Sequence, residues 1–330
     1  MRERKLAAVL ISLLLLPVAV YAAYTQLGQP PGEAFVRAAT LQGGISTLDI
    51  MLEAHLDRKH GFRLEVLRLQ KTPDILAAIA KGDADLAVIP VEMAAKLVQD
   101  GENIKIVAVD MFQNQAILAK SEGMESAADL KGKRVAAVVA SGTYMMFKAY
   151  LKLAYNVDVS ETGFNESAVN VVNVPPGLIV AALERGDVDA IVVWEPLVSR
   201  AIVEASARIV EDFSAMWKRL GYPGEPVMLV WVARGDFVER SESALRAFLS
   251  ARLEAARAWI DDRELVVSTL SKLYGLSEQA AETLYGRVRV CAEPLDSKLV
   301  ENIRRVWMIA WMGGYLKESP DGIPEDAFYR

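Results

Sequence analysis

The sequence predicts an α/β protein of two similar lobes, with parallel-rich sheets covered by helices on both faces, behind an N-terminal export or anchor segment. Three observations predict it. Short apolar runs alternate with helix-period segments from residue 35 to 213. The stretch ILAAIAKGDADLAV (75–88) recurs as IVAALERGDVDAIV (179–192), with seven of fourteen positions identical. Residues 6–24 form an apolar run, broken only by Ser12, behind Arg2, Arg4 and Lys5.

Composition sets the outer bounds. The 330 residues are 52% hydrophobic and 24% charged, which excludes global disorder and leaves room for two domains. A formal charge of −6 leaves no basic excess to displace counterions from phosphates, so nucleic acid is not expected as a partner. The single cysteine, Cys291, rules out an internal disulfide and a cysteine zinc cage. With only His55 and His60, a histidine-rich metal site is not expected either. Neither a metal nor a cofactor is predicted.

The N-terminal run reads as a signal peptide or membrane anchor over 1–24, followed by a linker at 25–33. Val20-Tyr21-Ala22 offers a small-residue cleavage site, and the run is also long enough to span a bilayer. Both readings place the remaining chain outside the cytoplasm. No cysteine lies near 18–26, so a lipoprotein anchor is excluded.

The elements follow in order. Residues 35–39 read as a strand, 46–60 as a helix and 63–69 as an alternating strand. Thr72-Pro73 starts a helix that Gly82 stops. Strands follow at 86–89 and 104–109, with a helix at 91–99 between them. The rhythm then restarts, with strands at 134–139, 168–174, 191–194 and 208–212 and helices at 142–155, 176–185 and 196–205. After Pro226 a strand at 227–233 leads into helices at 243–260, 263–274, 277–286 and 296–312.

The repeat assigns 34–114 plus 230–330 to a discontinuous first lobe and 119–226 to a second lobe inserted in it. Residues 115–118 and 227–229 are then the hinge crossings. Within the repeat, the GDxD reads as a helix stop and turn rather than a metal site.

In open α/β sheets, ligands bind beyond the carboxyl ends of strands. Candidate ligand residues are therefore Gly43, Gly44, Ser46 and Thr47 after the first strand, with Glu92, Phe112 and Gln113 after later ones. The second lobe supplies Ser141, Gly142, Thr143, Tyr144, Pro175, Trp194 and Glu195. Gly with Ser or Thr at a helix start offers unpaired N–H groups to a small anionic or polar group. Plain N-capping by Ser46 or Ser141 explains each alone. Phe112, Tyr144 and Trp194 are placed to form aromatic walls, and Glu195 to accept from an amine; a core aromatic and a helix-start acid are the alternatives. No phosphate loop or catalytic triad occurs, and no catalytic residue is assigned.

Longer stretches carry a resemblance. DLKGKRVAAVVASGTYMMFKAYLK (129–152), VVNVPPGLIVAALERGDVDAIVVWEPLVSRA (171–201) and VARGDFVERSESALRAFLSARLEAARAWI (232–260) resemble extracytoplasmic substrate-binding proteins of ABC importers. The likeness is to the alkanesulfonate, taurine, nitrate and thiamine-pyrimidine-precursor group, and it covers 33–330. Its most specific marks are LKGKRV, the Gly-Ser/Thr helix start, and A-L-x-x-G-x-V-D-A followed by W-E-P. It implies a two-lobed type II periplasmic-binding-protein-like fold whose cleft closes on a small-molecule solute. It further implies delivery to an ABC permease with a cytoplasmic ATPase. A monomer is expected, held at the membrane through the N-terminal segment if that segment is uncleaved. An enzyme on the same fold, of the menaquinone- or thiamine-pathway type, is the first rival. The export segment argues against it, and the single cysteine cannot supply the iron motif of the thiamine-type synthase. A ligand sensor is the second rival, and it needs a downstream signalling segment.

Overall fold

The computed structural model describes residues 34–329. The predicted signal or anchor at 1–24 and linker at 25–33 lie outside the described residues. No helix among those described is long and apolar enough to cross a membrane.

The strands in chain order are β1 (Ala34–Leu41), β2 (Phe62–Leu69), β3 (Leu86–Pro90), β4 (Ile104–Phe112), β5 (Ala116–Ala119) and β6 (Arg134–Ala137). Then come β7 (Val159–Ser160), β8 (Val169–Asn173), β9 (Ala190–Val193), β10 (Arg208–Asp212) and β11 (Val227–Arg234). They form a five-stranded sheet of order β2-β1-β3-β11-β4 and a six-stranded sheet of order β10-β5-β9-β6-β8-β7. Both sheets are mixed. β1 and β3 are parallel, as are β9, β6, β8 and β7, whereas β11 and β5 run antiparallel to their neighbours. The central strands β3 and β9 read LAVIP and AIVV, continuous apolar runs that suit burial on both faces.

The sequence repeat is a structural repeat. Helix Thr72–Lys81 ends at Gly82 (φ 82°) and helix Pro176–Arg185 at Gly186 (φ 77°), both left-handed stops that favour glycine. Three residues on, Asp85 and Asp189 do the same work in each sheet. The Asp85 carboxylate accepts from the Arg37 N–H at 3.0 Å and the Asp189 carboxylate from the Arg134 N–H at 2.7 Å. Each aspartate thereby pins a neighbouring strand, Asp189 at the first residue of β6 and Asp85 at the fourth of β1, a more specific role than a turn residue has.

Three expectations change. The helix predicted at 46–60 is two helices, Thr47–Glu53 and Leu56–Lys59, broken by His55 in the left-handed region (φ 51°). The residues expected as hinge crossings lie largely inside strands: Ala116–Ala119 belongs to the six-stranded sheet and Val227–Arg234 to the five-stranded one. The chain passes between the sheets at 113–115 and again between the end of β10 and β11.

The C-terminal helices also do not pack on one sheet alone. Glu278–Arg287 lies against Leu197–Glu204 beside the six-stranded sheet. Ser297–Met312 lies against both Gly142–Tyr155 and Val91–Gln99, with the Trp307 indole donating to the Val91 carbonyl at 2.7 Å. From Phe35 onward the described chain therefore holds together as one unit. Asp262, Ser277 and Asp296 cap three of these helices through the N–H groups of Leu265, Ala280 and Leu299.

Candidate functional site

The carboxyl ends of the central strands of the two sheets face each other across a small cavity. Its volume is about 50 Å³, room for a few water-sized groups. Leu41, Ile75, Val88, Met111, Met228 and Leu229 give it apolar walls, and Trp194 at the end of β9 closes one side. Ser141, Gly142 and Thr143 line it from the six-stranded sheet, Gly44 and Ile45 from the five-stranded one. None of the described residues lining it is Lys, Arg or His.

The two helix starts differ in what they can offer. At the first, Ser46 N–H donates to the Asp49 carboxylate at 3.3 Å and Thr47 N–H to the Asp110 carboxylate at 3.3 Å. The Thr47 hydroxyl also donates to Asp110, which is buried with no exposure and further held by the Trp231 indole at 2.8 Å. Two carboxylates of the protein already occupy this helix start. It is not an anion site, and the expectation of matching anion sites in both lobes is corrected.

The second start is open. Ser141 Oγ accepts from Tyr144 N–H at 3.2 Å and donates to the Val138 carbonyl at 2.7 Å, so Ser141 acts as the cap. The N–H groups of Gly142 and Thr143 have no protein partner among the described residues. They begin the 14-residue helix Gly142–Tyr155, whose dipole places roughly half a positive charge there. Around them lie further unspent groups. Gln115 Nε2 makes a long contact of 3.5 Å to Thr143 Oγ1, and its buried Oε1 is unpartnered. The buried Trp194 Nε1 is unpartnered too.

Gly142 is required by close approach. A Cβ there would lie 2.1 Å from Glu92 Oε1 and 2.7 Å from the Pro90 side chain, across from the five-stranded sheet. Glu92 itself is 2% exposed, and its Oε1 has no hydrogen-bond partner. Burial pushes its carboxyl up to about 7. It packs behind the helix start rather than lining the cavity.

Glu195 lines the cavity but is already engaged. Its Oε1 accepts from Arg287 Nε at 2.8 Å and from Ser199 Oγ at 3.0 Å, and its Oε2 accepts from Ser199 N–H at 3.0 Å. Burial raises its carboxyl above the usual range, against the pull of Arg287 and Ser199. The expected acceptor for a ligand amine is thus an internal ion pair.

Several other expected residues stand elsewhere. Tyr144 is buried, with its hydroxyl on Glu161 at 2.5 Å, and does not wall the cavity. Phe112 lines a separate surface groove, with the Arg289 guanidinium 6.0 Å from its ring centre. Gln113 donates to the Val227 carbonyl at 3.3 Å on the connection between sheets. Gly43 is exposed on its turn. Pro175 lines a second, wider cavity of about 400 Å³ that adjoins the first.

The model of one protein family matches residues 44–269, two thirds of the chain and both helix starts of the site. The chain belongs to the NMT1-like family. Arg287, which holds Glu195, lies beyond the stretch matched to the NMT1-like family. Among curated relatives, the taurine-binding periplasmic protein of Escherichia coli (strain K12) is 26% identical over 230 residues, 67% of each chain. The alkanesulfonate-binding protein SsuA from Xanthomonas axonopodis pv. citri, solved with MOPS, superposes with a TM-score of 0.71 at 19% identity, covering 90% of this chain and 98% of that one. The periplasmic nitrate-binding protein NrtA from Synechocystis PCC 6803 gives 0.66 at 17% identity, covering 89% and 85%. These superpositions show the expected periplasmic-binding-protein fold for this NMT1-like chain.

Proposed function

We propose that this protein captures a small organic anion for an ABC importer, outside the cytoplasm, and presents it to a membrane permease driven by a cytoplasmic ATPase. The observation that carries the reading is the open helix start at Gly142–Thr143 facing an apolar cavity between two sheets. Unpaired N–H groups suit an anionic head, and the surrounding side chains suit an alkyl body. A relative named for taurine, and solved neighbours named for alkanesulfonates and nitrate, support capture over the enzyme alternative.

Within that range the cavity favours an alkyl anion. Taurine carries an ammonium, and Glu195, the one carboxylate lining the cavity among the described residues, is held by Arg287. Nitrate has no apolar body to use the Leu41, Ile75 and Met228 walls. Calorimetry with the series from ethane- to octanesulfonate, with taurine and nitrate alongside, tests the reading. Affinity is expected to rise about fourfold per methylene, from about 0.8 kcal/mol of transfer free energy each, until the space is filled. No binding by any of these anions contradicts it.

A further inference from the structure

We propose that the wider cavity adjoining the helix-start cavity is a second subsite, which holds an anionic group at the far end of the solute. This rests on the solute-capture reading above. The two cavities share Leu41, Thr72, Ser141 and Trp194, so one molecule can run from one into the other. The inner space, about 50 Å³, takes the head and the first methylenes against Ile75 and Met228, and a longer solute must extend into the outer space of about 400 Å³.

The outer walls differ in chemistry from the inner ones. Lys71, on the residue before helix Thr72–Lys81, lines the outer cavity, and its ammonium has no partner among the described residues. Gln70 donates to Gln42 Oε1 at 2.5 Å, which leaves the Gln42 amide hydrogens free. Across the cleft, Asn173 Oδ1 accepts from the Val139 N–H at 3.1 Å, which leaves the Asn173 amide hydrogens free. Three sets of donors, one of them cationic, therefore converge from both sheets. Among the described residues, no aspartate or glutamate lines this cavity to oppose an anion or welcome a cation. The solute class is an organic dianion: a compact acidic head, a short apolar span, and a second acidic group.

Calorimetry on the purified protein with propane-1-sulfonate and 3-sulfopropanoate separates the possibilities. The two share a head and differ in the far group. The expected result is at least tenfold tighter binding of 3-sulfopropanoate, shrinking as salt is raised because the outer site is open to solvent. Lys71→Met is expected to erase that preference while leaving propane-1-sulfonate affinity within twofold, and Lys71→Arg to keep it. Equal affinity for the two probes, or a preference that survives Lys71→Met, overturns the subsite and leaves solute capture standing. No binding of either probe overturns the sulfonate-head reading, and the subsite with it. Lys71 is exposed and makes no side-chain contact that folding needs, so the variant reports on binding.

Discussion

Glu195 and Arg287 form an ion pair of 2.8 Å between the end of β9 and the last turn of helix Glu278–Arg287. Glu195 has no exposure, and Arg287 retains 20% of its side chain in solvent. The pair ties a C-terminal helix to the strand end that carries Trp194. Removing one partner leaves a buried charge without compensation.

Arg287→Met is therefore expected to cost about 3–5 kcal/mol of stability, and the double variant Arg287→Met, Glu195→Gln to recover much of it. Chemical denaturation of the three proteins measures both. A single variant as stable as wild type would show that the pair contributes nothing.

Gly142 is expected to tolerate no side chain in the closed arrangement. An added methyl meets the Glu92 carboxyl and Pro90, the latter a rigid ring that cannot move aside. Gly142→Ala should fold normally by circular dichroism yet bind an alkanesulfonate at least tenfold more weakly. Wild-type affinity in this variant would mean that the cleft need not close this far.

The two helix starts should respond differently to loss of a hydroxyl. Thr143→Val is expected to weaken anion binding by about 1–3 kcal/mol, because Thr143 lines the cavity and the change removes its hydroxyl. Ser46→Ala is expected to leave affinity within twofold, since Asp49 and Asp110 already fill that helix start. Calorimetry on the pair decides it. Equal losses would restore the symmetric site.

Much of the fold was legible in the sequence because helix stops and buried strands are local signals. The GDxD repeat marked equivalent turns in both sheets, and W-E-P marked a strand end that does line the cavity. What the sequence hid was partnership. Nothing in Thr47 or Glu195 reveals that Asp110 or Arg287, each more than sixty residues away, consumes its hydrogen-bonding capacity. Tyr144 was misplaced for a related reason: a residue after a helix start can turn either way, and Glu161 drew it away from the cavity. Leu41, Ile75 and Met228 carry no mark in the sequence that separates a cavity wall from core. Asn114 and Gln115 left a usable trace, a polar pair immediately before the fully buried β5.

Stability should fall as pH rises through the range set by Glu92. Its carboxyl is held up to about 7 by burial, against an ordinary value of 4.5, so the folded protein keeps a proton that the unfolded chain releases. The full contribution is present below pH 4.5 and is lost progressively until about pH 7. The linked loss is about 3 kcal/mol. Glu92→Gln is expected to flatten this part of the profile and to be the more stable protein at pH 8. A thermal-melting profile with the wild-type slope in Glu92→Gln would assign the pH dependence elsewhere.

Small-angle X-ray scattering of the protein alone and with a saturating alkanesulfonate tests solute capture between the sheets most directly. The radius of gyration is predicted to be larger in the free protein and to fall on binding to the value of the structure described above, with Gly142 against Glu92 and Arg287 on Glu195. Identical profiles with and without bound ligand would contradict closure of the cleft on its solute.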